Sequence, residues 1–239
     1  MKIYLQIGLV IFLFSCSGKK QEKDIQSNKK PEVYTAKIAQ VISNNRVDYT
    51  NFIPKGYTVV DRNIVFGDFN GDSFKDFVAI IADTDLNDLD DDNYPGDVRI
   101  VIYEGTKEGK YIKRTQSGNM TYAFIYEEGD HIKIIKSNVI SITHQSMRSD
   151  YELKFRFEPD YDTYMLIATE YSNYGNAYLE GAGDFSTNYL NKTRTIKRRT
   201  FNPDQKAIIY LPEEKIKLTE DMRRIDEVDE NSINALVCC

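Results

Sequence analysis

The 239-residue chain has no tryptophan, two histidines and three cysteines. Two histidines, His131 and His144, are too few for a multi-histidine zinc site, and no His-Glu-x-x-His segment occurs. Three cysteines, Cys16, Cys238 and Cys239, build no disulfide framework. The adjacent pair at the C-terminus reads as a tail without function, because a prenylation signal would place its cysteine fourth from the end. A phosphate-cradling glycine loop and a Gly-x-Ser-x-Gly elbow are both missing. Basic residues are outnumbered, 31 Lys and Arg against 37 Asp and Glu, for a net charge of −6. Nucleic acid is therefore not an expected partner, since phosphate contacts need clustered cations. The single basic run, Lys197-Arg198-Arg199, closes a strand pattern and reads as a solvated edge. Only one long apolar run exists, Ile3 to Phe14, and a membrane-spanning helix needs roughly 20 residues.

That run has a purpose short of spanning. Lys2 precedes it, Ser15 ends it, and Cys16 follows. A charged start, a short apolar stretch and a small residue before the cut mark a signal peptide. Leu13-Phe14-Ser15-Cys16 resembles the lipobox of bacterial lipoproteins, with Phe14 where that motif carries a small or β-branched residue. The resemblance implies removal of residues 1–15 and lipidation of Cys16. It also implies a lipid-anchored protein of the cell envelope, at the outer membrane of a Gram-negative bacterium. The alternative is an ordinary signal peptide with an incidental cysteine. Residues 16–31 are polar, charged and without large aromatics, so they cannot bury enough surface to fold. They read as a flexible tether.

Residues 32–239 are enough for one sizeable core and are expected to form a single β-rich domain. Val33 to Ser43 has the spacing of one short amphipathic helix. Beyond the turn at Phe52 to Tyr57 the pattern changes to period two. Strands are expected at Val59 to Phe66, Phe77 to Ala82, Val98 to Tyr103, Tyr111 to Gln116, His131 to Lys136, Ile140 to Gln145, Tyr151 to Glu158, Tyr164 to Tyr171, Asp184 to Leu190 and Thr193 to Arg199. In the seventh of these, Tyr151, Leu153, Phe155 and Phe157 alternate with Glu152, Lys154, Arg156 and Glu158. Leu153, Phe155 and Phe157 are expected inside, Lys154 and Arg156 outside. Strands at this spacing without intervening helices imply a mainly β fold of antiparallel sheets, or α+β with the one short N-terminal helix. Asp221 to Leu236 reads as helical or irregular. The 17 tyrosines suit strands and are taken as structural rather than as a sugar-stacking platform.

The sharpest local signal runs from Phe66 to Val78. Oxygen-bearing side chains fall at alternate positions of a tight loop, Asp68, Asn70 and Asp72, with Asp76 further on and the carbonyl of Phe74 between. A hard cation such as Ca²⁺ takes six to eight oxygens, and alternate residues of such a loop can wrap around it. The alternative is an acidic β-turn that binds no metal. Phe66-Gly67-Asp68-Phe69-Asn70-Gly71-Asp72 with Asp76 resembles the FG-GAP calcium loop of integrin-type propellers and bacterial surface proteins, also described as VCBS-like. The resemblance implies Ca²⁺ held by Asp68, Asn70, Asp72, Asp76 and the Phe74 carbonyl. At the loop's sixth position the family has glycine and this chain has Ser73, which argues for lower affinity. A full propeller is not expected, because the nearest second copy, Gly183 to Asn188, puts Lys192 at its ninth position. The acidic run from Asp83 to Asp97 reads as a solvated loop, or as a weaker second cation site.

More broadly, four segments together resemble single-repeat lipoproteins of Bacteroidota-type bacteria. They are Ile53-Pro54-Lys55-Gly56-Tyr57, the Asp68 loop, Thr169-Glu170-Tyr171 and Ser186-Thr187-Asn188-Tyr189-Leu190. That likeness brings no established activity. The expected function is a non-enzymatic binding or structural role in the envelope, with an unknown protein or glycan partner. The alternatives are an envelope-polymer hydrolase or a glycan- or toxin-binding module. Two placed carboxylates suffice for glycoside hydrolysis, so counting residues does not remove the first.

Overall fold

A computed structural model describes residues 51–83, 96–120 and 131–237, all within one compact unit, Asp48–Cys239. The segment 1–15, Cys16, the tether, the expected helix at 33–43, most of the acidic run 83–97, and Cys238 and Cys239 lie outside the described residues.

The protein is mainly β, with two antiparallel sheets and neither a closed barrel nor a propeller. The first sheet is a four-stranded meander of β1 (Thr58–Gly67), β2 (Asp76–Ala82), β3 (Val98–Gly105) and β4 (Tyr111–Gln116), in that order. Every residue of β2 is buried. The cause is double cover: Val78, Ile80 and Ala82 face the core shared with the second sheet, while Phe77, Ala79 and Ile81 face a second cluster. That explains why β2 reads as a continuous apolar run rather than an alternation. The outer cluster is closed by Phe52, Ile53 and Tyr57, from the turn that enters β1. Gly56 has φ +90° there, and Tyr57 N–H donates to Pro54 O at 3.0 Å, as a type II turn requires. The Tyr103 hydroxyl donates to Phe52 O at 2.6 Å and ties the turn to β3.

The second sheet is a longer meander. Its strands are β5 (Ile132–Ile135), β6 (Val139–Gln145), β7 (Ser149–Glu158), β8 (Thr163–Asn173), β9 (Gly183–Asn188), β10 (Thr193–Asn202) and β11 (Ala207–Tyr210), each paired with the next. β12 (Glu214–Lys217) pairs with β10, and β13 (Arg223–Arg224) with β8. Along β7, Leu153 and Phe155 are fully buried, as their alternation predicts. Phe157 is half-buried and packs on the core edge-on to Tyr164, 5.4 Å between ring centroids. Lys154 and Arg156 are half-exposed and paired, Lys154 with Glu152 and Glu170, Arg156 with Glu158. The core joins Ile80, Ile100 and Ile102 of the first sheet to Ile140, Ile142, Phe155 and Leu166 of the second.

The ten expected strands are all present, most of them longer by one to three residues. Two are shorter: β9 stops at Asn188 and the chain turns at Leu190, and β5 covers only Ile132–Ile135 of the expected His131 to Lys136, because Lys136 enters a 3-10 turn. β11, β12 and β13 had no signal, because they are two to four residues long and mostly exposed, so burial imposes no alternation on them. The C-terminal segment holds one helix, α1 (Glu230–Val237). Asp229 caps it by accepting from Ser232 N–H at 2.7 Å, and Ile233 is buried in the core.

Candidate metal centre

The loop between β1 and β2, with the first residue of β2, carries the five residues expected to hold Ca²⁺. Asp68 and Asn70 are half-buried, Asp72 and Phe74 exposed, and Asp76 fully buried as the first residue of β2. Phe69 turns back under the loop into the core. A side chain at Gly67 would meet its ring at 2.5 Å, which explains the small residue there.

The loop is wound by its own side chains. Asp68 Oδ1 accepts from Gly71 N–H at 2.7 Å and Oδ2 from Ser73 N–H at 3.0 Å. Asn70 Oδ1 accepts from Asp72 N–H at 3.0 Å, and Asp72 Oδ1 from Phe74 N–H at 2.8 Å. The Asn70 amide donates to Asp72 Oδ2 at 3.0 Å. Gly71 has φ +84° and Ser73 φ +72°. Ser73 thus takes the left-handed conformation for which the resembling family uses glycine, and pays for it in backbone strain.

Asp76 is held differently. Its Oδ2 accepts from Phe69 N–H at 2.8 Å and its Oδ1 from Gly105 N–H at 2.9 Å. Burial pushes its carboxyl above the usual range, opposed by these two bonds and reinforced by Asp72 and Asp68. A side chain on Gly105 would meet the Lys75 carbonyl at 2.4 Å, so glycine lets the end of β3 lie directly against the loop.

The donor set is all oxygen, which suits a hard cation. Even so, no three acidic, imidazole or thiol groups among the described residues are gathered so that they could hold a metal ion. The physical reason is visible in the bonds above: Asp68, Asp72 and Asp76 are turned onto backbone N–H donors. A cation would have to draw these carboxylates toward one point.

Three residues near the loop had not been singled out. Glu104 follows Ile100 and Ile102 at period two, placing a carboxylate on the core-facing side of β3, and that displaced charge was the available signal. Arg114 Nε lies 3.6 Å from Glu104 Oε1, and its Nη2 lies 2.5 Å from Asp162 Oδ1. Tyr164 of β8 is fully buried. Burial pushes its hydroxyl well above the usual tyrosine range, with further contributions from Asp76 and Glu104.

Elsewhere, a groove of about 530 Å³ on the second sheet is lined by Glu170, Ser172, Asp184, Lys197 and Lys215 among others. Its carboxylates are engaged: Asp184 with Arg199 at 3.0 Å and with the Ser172 hydroxyl at 2.9 Å, Glu170 with Lys154 at 3.3 Å. Ser146, near His144 in sequence, is bound by Ser149, 2.9 Å between hydroxyl oxygens. Of the acidic run, Asp83 and Asp97 are described. They close the base of the loop, Asp83 N–H to Asp97 O at 3.1 Å, and Asp97 accepts from the Tyr57 hydroxyl at 2.5 Å.

The chain matches no protein-family model and no curated protein.

Proposed function

We propose that this is a cell-envelope lipoprotein, anchored by lipid on Cys16, whose β-rich body has a non-enzymatic binding or structural role and takes Ca²⁺ at the loop 66–78. The observation that carries the metal reading is Ser73 at φ +72°. The turn that the sixth loop position needs is already made without glycine, so ion binding asks for side-chain rotation rather than refolding. Asp68, Asn70 and Asp72 project from that turn at alternate positions, with Asp76 behind them. Calcium would neutralise the carboxylates and stiffen the link between β1 and β2. The lipid reading rests on the charged start, the short apolar run and Ser15-Cys16.

The test is calorimetric titration of the full chain with Ca²⁺ up to about 10 mM, since extracellular calcium modules commonly bind with Kd on the order of 10⁻⁴–10⁻³ M. Binding to the folded state alone stabilises by about 2.7 kcal/mol at a hundredfold excess over Kd. Asp72→Ala removes the heat of binding and the accompanying rise in Tm. Mg²⁺ does less, because it demands a tighter octahedron and gives up water reluctantly. Absence of Ca²⁺ binding at 10 mM, or binding unchanged by Asp72→Ala, leaves an acidic turn.

A further inference from the structure

The register that sets Phe77 opposite Tyr103 places Asp76 opposite Glu104 one step further out. Both follow the residues that face the shared core, Val78 and Ile80 on β2, Ile100 and Ile102 on β3. Directly opposed side chains on one face of an antiparallel pair have Cβ atoms about 4.5–5.5 Å apart, and like charges there repel. Two carboxylates therefore meet at the mouth of the sandwich, beside a loop with two more.

Their local counter-charge is Arg114, and its hold on Glu104 is loose. The 3.6 Å approach is too long for a hydrogen bond, and Glu104 Oε1 is buried with no hydrogen-bond partner, while the Asn70 side chain of the loop bonds to the same carboxylate. The guanidinium is better engaged with Asp162, through both the carboxylate and the backbone carbonyl. Across from the pair, the Tyr164 hydroxyl is also buried with no hydrogen-bond partner, and it lies in the field of Asp76, Glu104 and Asp72. Phe157 lies against both the Tyr164 ring and the Arg114 guanidinium and brings these two side chains to the same end of the sandwich as Glu104. A buried oxygen without a partner costs free energy, and one on Glu104 with a second on Tyr164, beside the Asp76 carboxylate, describe a place for a hydrated cation.

We infer that Glu104 is a cation ligand supplied from outside the loop, and that Arg114 competes with the ion for it. This rests on the calcium reading of the loop. On Ca²⁺ binding Glu104 turns from Arg114 to the metal, Arg114 stays on Asp162, and Tyr164 donates to a metal-bound water or to the freed carboxylate. The affinity of the loop is then set by a residue on β4 that never touches the ion.

The test is Ca²⁺ titration of the full chain by calorimetry, with the Tm of each variant measured in chelator to confirm folding. Glu104→Gln is expected to weaken Ca²⁺ binding at least tenfold, and Arg114→Met to tighten it several-fold. If both variants titrate like the wild type while Asp72→Ala loses binding, the role of Glu104 and Arg114 is overturned and the loop reading stands. If neither wild type nor Arg114→Met binds at 10 mM, the loop reading fails and this inference with it. Should Arg114→Met not fold, the isosteric Glu104→Gln decides alone.

Discussion

His144 on β6 sits directly opposite Tyr151 on β7, with 5.1 Å between ring centroids, and its imidazole is buried. Burial lowers its pKa from 6.5 to about 4, with a smaller contribution from the neighbouring His131. The folded protein therefore keeps this ring neutral where the unfolded chain protonates it. The stability this contributes is complete above pH 6.5 and is lost as pH falls toward 4, by about 2–3 kcal/mol. Urea unfolding at pH 7, 5.5 and 4.5 is expected to show His144→Phe gaining on the wild type as the pH drops. A difference between the two proteins that stays constant with pH would refute the assignment.

Phe155 and Lys154 are neighbours with opposite consequences. Phe155 is fully buried between the sheets, so Phe155→Ala is expected to cost about 3–5 kcal/mol through lost burial and a residual cavity. Lys154 is half-exposed and its ion pairs with Glu152 and Glu170 lie at the surface, so Lys154→Ala is expected to cost no more than about 1 kcal/mol. Denaturant midpoints of the two variants measure both, and equal costs would contradict the packing described.

Ser73 holds a conformation that glycine adopts without strain. Ser73→Gly is expected to stabilise the protein by up to about 1 kcal/mol in chelator, because its side chain is exposed and the relief of strain outweighs the entropy glycine adds to the unfolded chain. The same change is expected to tighten Ca²⁺ binding. A lower Tm for the glycine variant in chelator would show that Ser73 is not strained.

Cys16→Ser is expected to abolish retention in the membrane fraction and to leave uncut precursor. Membrane fractionation with a mass measurement of the N-terminal fragment reads both. A variant that is processed and fractionates like the wild type would end the lipoprotein reading.

The sequence by itself determined the class of the fold and most of its strands. Alternation at Tyr151 to Phe157 and the unbroken apolar run at Phe77 to Ile81 are local records of one-sided and two-sided burial. The position of the loop was legible for the same reason: Gly67, Gly71 and the Asp and Asn residues impose a turn within a few bonds of themselves. Only the tertiary structure decided what surrounds that turn. Asp76 meets Glu104 and the Gly105 N–H because β2 and β3 pair in one register. That register is set by the burial of Ile80, Ile100 and Ile102 rather than by anything near the loop. Arg114 and Tyr164 arrive from β4 and from the second sheet, in contacts that depend on how the two sheets close over a shared core. β11, β12 and β13 escaped notice because an exposed edge strand takes its conformation from the partner beside it. The turning of Asp68, Asp72 and Asp76 onto backbone N–H groups was equally hidden, since spacing fixes where a carboxylate sits and folded geometry fixes what it accepts.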